Sequence, residues 1–140
     1  MLNRVVLLIA VAWAGALWTI CGLVAPTLFA ILDDRRLAGQ IAGTFFGMLP
    51  WIGLGAALLV GGLKWLMRRD QRDGWLIAWI AVAALLPLAS ELLLTPLMES
   101  ARLAGDMARF GALHGFSAAL FGGACVAAAA MLLRLTRRAA

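Results

Sequence analysis

The sequence predicts an all-α integral membrane four-helix bundle with both termini cytoplasmic. Three observations carry that prediction. The 140 residues are 64% hydrophobic and only 14% charged, against about half and a quarter in a soluble domain. The mean hydropathy is +0.97. The apolar residues gather into four runs, each at least as long as the ~20 residues that cross a bilayer core, with most charges between them. A chain of this length forms one domain, residues 1–140.

The first helix is expected over about residues 5–32, interrupted only by small residues and Pro26. It is too long for the apolar part of a signal peptide and leads into Asp33-Asp34-Arg35-Arg36 without a small-residue cleavage site, so it is read as a retained span. The second helix is expected over about 41–67, the third over 75–94 and the fourth over 113–133. A charged loop from Arg68 to Gly74 joins the second and third. The connection from Thr95 to Ala112 is longer and carries Glu99, Arg102, Asp106 and Arg109, a pattern that suits a short amphipathic helix lying on the membrane. No strong internal repeat is visible.

Charge sets the orientation. Arg4, Lys64, Arg68, Arg69, Arg72, Arg134, Arg137 and Arg138 fall on one side, and Arg35, Arg36, Arg102 and Arg109 on the other. Positively charged loops stay in the cytoplasm, which places both ends of the chain there. The net charge of +5 follows this topology. It forms no basic patch interleaved with exposed aromatics, so nucleic acid is excluded as a partner. The expected environment is the bilayer of a bacterial inner membrane. A homo-oligomer or a larger membrane complex would be compatible with it.

Gly39, Gly43 and Gly47 recur every fourth residue, as do Gly111 and Gly115. Such spacing lets neighbouring backbones approach closely and is expected to pack helices, within the bundle or between copies. Pro26, Pro50 and Pro87 each remove a backbone donor inside a helix and kink it.

Glu91 is the residue that asks for chemistry. It follows a nearly unbroken apolar run, in "SELLLTPLMES", and an intramembrane carboxylate is a functional-site hypothesis by default. If the third helix ends near residue 94, Glu91 lies one turn from the outer end. His114 opens the fourth helix at a similar expected depth, with Ser117 on the same face. Pro26 and Asp33 reach that outer layer from the first helix. Glu91, His114, Ser117, Pro26 and Asp33 therefore form the candidate polar site. Glu91 either pairs with His114 or bonds Thr95 and freed carbonyls while His114 faces water.

One His and one carboxylate supply few metal ligands, unless Cys21 or a Met contributes to a soft-metal site. Whether a metal binds stays open. No cofactor is called for. Ser117 lacks a nucleophile motif, and there is no HExxH or phosphate loop, so enzymatic activity is not expected. Cys21 and Cys125 sit inside apolar runs without CxxC spacing and read as small buried hydrophobes.

The segment "AWAGALWTICGLVAPTLFAILDDRRLAGQIAGTFF" resembles the opening of the domain of unknown function 4149 family, bacterial relatives of transmembrane protein 205. Trp13, Gly15, Ala25, Pro26, Leu28, Phe29, Ala38, Gly39 and Phe46 carry the likeness, and "ELLLTPLM" and "FGALHGFSAAL" extend it. The resemblance implies a four-helix membrane protein, and through the eukaryotic relative's link to platinum-drug resistance it points to handling of metal species. The functional expectation is a small transporter or channel-like protein for an ion or metal species. Its alternative is a structural or accessory subunit of a larger complex.

Overall fold

The computed structural model describes residues 2–67 and 74–139. The charged loop expected between the second and third helices lies outside the described residues. The elements are α1 (Leu2–Thr19), a π-helical turn (Ile20–Val24), α2 (Ala25–Ile31), α3 (Arg35–Met67), α4 (Gly74–Ala89), a second π-helical turn (Ser90–Leu94), α5 (Thr95–Leu103) and α6 (Met107–Ala139). Helix, π turn and helix run on continuously in each case, because the residues at the joints stay in the right-handed helical region. Four spans result: Arg4–Ile31, Arg35–Leu63, Trp75–Leu103 and Met107–Arg134. Each is long and apolar enough to cross a membrane, and the chain is a multi-pass membrane protein.

The spans outrun the sequence expectation at one end of the bundle. The second begins at Arg35 instead of 41, the third continues to Leu103 instead of 94, and the fourth begins at Met107 instead of 113. Residues 95–103 do not lie apart as a surface helix; they prolong the third span. Backbone groups near a membrane must be hydrogen-bonded internally, so the helices persist through polar residues until a cap ends them. Asp34 Oδ1 accepts from the backbone N–H of Arg36 and Leu37 at 2.8 and 3.1 Å. Asp106 Oδ1 accepts from Arg109 at 3.0 Å. Gly105, at φ 73°, makes the tight turn before Asp106.

Both π turns sit just before a proline, Pro26 or Pro96. Each proline lacks an N–H and would clash with the carbonyl one turn back. The widened turn relieves this: the N–H of Ala25 donates to Ile20 O, and that of Thr95 to Ser90 O. Such bulges concentrate at functional sites.

A repeat becomes visible here that residue identities hide. Val6, Ala10, Trp13, Ala14 and Leu17 are buried, and Leu76, Ile80, Ala83, Ala84 and Pro87 are buried seventy positions later. The π turns, the following prolines and the aspartate caps recur in the same order. In the long helices Pro50, Gly53 and Val60 correspond to Phe121, Ala124 and Met131. The chain is a tandem pair of similar helical hairpins. Each span packs against two others in the ring α1, α3, α4, α6.

The core has two apolar clusters. Trp13, Leu17, Leu49, Ala83, Phe121, Ala124 and Ala128 form one; Val6, Ala10, Val60, Leu76, Ile80 and Met131 form the other. Side chains pack directly onto the helix backbone at glycines outside the predicted stripes. A Cβ on Gly53 would stand 2.5 Å from Trp13 Cζ2, and one on Gly123 3.1 Å from Leu86 Cδ1. At Gly43, Gly111 and Gly115 an added Cβ would meet nothing within 4 Å, so these three do not pack helices inside the bundle. Gly39 and Gly47 make ordinary contacts with Phe29 and Glu91. The period-four pattern marked the outward face of α3 and α6 as readily as a seam, because spacing does not say which face turns inward.

Candidate functional site

The π turn Ser90–Leu94 positions the polar residues. Its widened geometry turns Ser90 toward α6 and Glu91 toward α3. Ser90, 1% exposed, is the one buried polar residue among the described residues, and its hydroxyl pairs with that of Ser117 at 2.7 Å. This bond ties α6 to the third span. Glu91 is half-buried, and its Oε2 accepts from the Thr95 hydroxyl at 3.2 Å. The Ser90 carbonyl lies 3.5 Å from the same hydroxyl. Thr95 is the hydrogen-bond partner of the carboxylate, and no cationic side chain reaches it among the described residues.

The carboxylate looks onto a bare patch of α3. A Cβ on Gly47 would lie 3.9 and 4.0 Å from its two oxygens. Gly47 therefore leaves room for Glu91 between α3 and the third span. Seen along the helix, Glu91 stands two residues past the middle of the span Trp75–Leu103. It is eight residues, or ~12 Å at 1.5 Å per residue, from Glu99, whose carboxylate is exposed and ion-paired to Arg102 at 2.8 Å. The expectation of one turn from the helix end is corrected to more than two turns inside it.

That correction bears on the two alternatives offered for Glu91: the structure has it bonded to Thr95, not paired with His114. His114 is exposed and stacks on Phe110, with ring centroids 6.0 Å apart and planes 8° from parallel. No hydrogen bond or ion pair joins it to Glu91 among the described residues. His114 lies seven residues into α6, and Glu91 lies twelve from the end of α5, a mismatch of roughly 8 Å in depth. The expectation had set both at the helix ends. Pro26 and Asp33 also stay apart from the carboxylate: Pro26 follows the other π turn, and Asp33 is exposed in the turn between α2 and α3. Of the candidate residues, Glu91 and Ser117 belong to one polar cluster. Ser90, Thr95 and Gly47 complete it. Thr95 was legible from its i+4 spacing to Glu91; Gly47 was singled out for helix packing and not for the site, and Ser90 gave no sign in the sequence beyond polarity.

Among the described residues no group of three or more His, Cys, Asp and Glu gathers as a metal site would require. Cys21, the positional counterpart of Glu91 in the first hairpin, is half-buried near Cys125 of α6 and packs on the same core cluster. Trp18 Nε1 donates to the Cys125 carbonyl at 3.2 Å and holds α1 to α6 there.

The family model for the domain of unknown function DUF4149 matches residues 8–107, and the chain belongs to that family. The match includes both π turns and Glu91, and stops before His114 and Ser117. Neither a curated protein nor a solved structure matches the chain.

Proposed function

We propose that this member of the DUF4149 family is a small transporter or channel-like protein that binds a cation at Glu91, in a bacterial inner membrane, with its termini cytoplasmic and the turns at 32–34 and 104–106 outside. The single observation that supports this reading is a carboxylate deep in an apolar span whose partner is a neutral hydroxyl. An ionised group in such a place is expensive, and membrane proteins keep one where it serves an ion or proton path. A bound cation offsets the charge. The π turn and the open patch at Gly47 supply a non-regular backbone and space beside it. The role is one of binding and passage, without catalysis.

The test uses the full chain reconstituted in vesicles under an imposed cation or pH gradient. Flux should be carried by the native protein and abolished in Glu91→Gln, with both variants equally folded. Equal flux in the two, or none in either, would sink the reading. Reporter fusions at residue 140 and in the turn at 32–34 test the orientation.

The second reading is an accessory subunit. It is favoured by the exposed glycine faces around Gly43 on α3 and Gly111 and Gly115 on α6, which none of the described residues covers. A larger native complex lost in a Gly43→Leu, Gly111→Leu variant would support it.

A further inference from the structure

We propose that Cys21 and Cys125 are a redox-active pair, which closes to a disulfide between the first and last spans and passes two electrons and two protons to a quinone dissolved in the bilayer. The pair shares no residue with the polar cluster of Glu91. Cys21 lies in the first π turn and Cys125 inside α6. Both pack on the core cluster of Trp13, Leu17 and Phe121, and their thiols hydrogen-bond each other. Trp18, just before the π turn, donates to the carbonyl of Cys125 itself at 3.2 Å, so the two spans are already tied at this level. Sulfurs in contact must close to about 2.0 Å to bond. Cys21 sits where the helix is widened, in a turn whose regular hydrogen-bond ladder is interrupted.

The surroundings select the oxidant. Both cysteines are half-buried, within apolar spans, and the neighbouring Gly22 and Gly122 are exposed and carry no side chain. A reagent that reaches the sulfurs there is soluble in lipid. Cys21 and Cys125 are the titratable groups that face each other among the described residues, so no base beside them keeps a proton. A quinone meets both conditions, being neutral and apolar and taking up protons with its electrons. One sulfur adds to a ring carbon of the quinone, and the other attacks that sulfur. The S–S bond forms as the C–S bond breaks, and the quinol leaves with both protons. No charge is left in the apolar layer, where it would be expensive.

The full chain, reduced and placed in phospholipid vesicles, is treated with decylubiquinone and, separately, with the lipid-soluble oxidant copper phenanthroline. Peptide mass spectrometry counts the Cys21–Cys125 bridge, and absorbance counts the quinol. Both oxidants should bridge the two cysteines within one chain, decylubiquinone giving a quinol for each bridge, and dithiothreitol should reverse it. The bridged chain should unfold at a higher temperature than the reduced one, since a link between distant parts of the sequence restrains the unfolded chain. Cys125→Ser, Val126→Cys moves the thiol to an exposed position one residue along α6 and should bridge at least about tenfold more slowly, because the sulfurs no longer meet. Thermal unfolding confirms that this variant is folded. Native thiols that stay free under copper phenanthroline, or that bridge only between chains, would overturn the pair. So would bridging of the shifted variant at the native rate, or a bridge that lowers the unfolding temperature. Bridging by copper phenanthroline without quinol from decylubiquinone would overturn the acceptor alone.

Discussion

Alanine at Gly53 and alanine at Gly43 should move stability in opposite directions. Both glycines lie inside α3, and replacing glycine by alanine in a helix is worth up to about 1 kcal/mol in backbone terms. At Gly43 the new methyl meets nothing within 4 Å, so that gain is kept. At Gly53 it would sit 2.5 and 2.7 Å from Trp13 Cζ2 and Cη2, far inside the ~3.5–4.0 Å optimum between carbons. Trp13 is 3% exposed and bounded by the core, so the ring has little room to retreat. Overpacking of this kind costs about 1–3 kcal/mol, which outweighs the helical gain. The two variants should therefore differ by roughly 1–3 kcal/mol, Gly53→Ala below native and Gly43→Ala at or above it. Thermal or denaturant unfolding in a fixed detergent measures this. Trp13→Phe provides the internal check. Phe lacks the ring atoms that clash, and it removes an indole N–H that is buried without a hydrogen-bond partner. Gly53→Ala should cost much less in the Trp13→Phe background, with a coupling of about 1 kcal/mol or more. If Gly53→Ala is neutral while Gly43→Ala destabilises, the helices meet along the predicted stripe and the packing described above is wrong.

Three further outcomes follow from named contacts. Ser117→Ala leaves the buried Ser90 hydroxyl unpaired and should destabilise by about 1–2 kcal/mol, with part of the loss recovered in Ser90→Ala, Ser117→Ala; an unchanged unfolding midpoint would contradict the 2.7 Å bond. His114→Ala removes an exposed ring and should shift stability by less than about 0.5 kcal/mol; a larger loss would mean that the imidazole holds a partner besides Phe110, as the alternative pair with Glu91 would require. Asp34→Ala and Asp106→Ala each remove a helix cap and should cost about 1 kcal/mol, read as loss of unfolding temperature, while Asp33→Ala should be silent.

Much of the fold was legible because the hydrophobic pattern of a membrane chain has few solutions. Four apolar runs give four helices, and short connections make neighbours antiparallel. The ends were misjudged for a physical reason. Gly39, Gln40, Glu99 and Arg102 look like loop residues in water, yet helical hydrogen bonds continue through them until Asp34 or Gly105 intervenes. Depth follows from helix ends, so that error carried into the site. Glu91 was legible as a costly charge, and Thr95 as its neighbour one turn on. Its partner face was not: whether Glu91 looks toward His114 or Gly47 depends on how the π turn rotates the helix, and hydropathy does not report that rotation. The hairpin repeat escaped because equal burial was kept by unequal residues, Trp13 with Ala83 and Leu17 with Pro87.

The pairing of Cys21 with Glu91 at equivalent places in the two hairpins has a further consequence. Two identical hairpins associating as separate chains would have to carry a carboxylate in each, and so place two charges in the apolar layer. With both hairpins in one chain, the halves are free to diverge. One keeps a small thiol that needs no counter-charge, and the other carries the acid. The bundle retains near-symmetric packing while the acid of the second hairpin rests against one neighbouring helix, at Gly47 of α3.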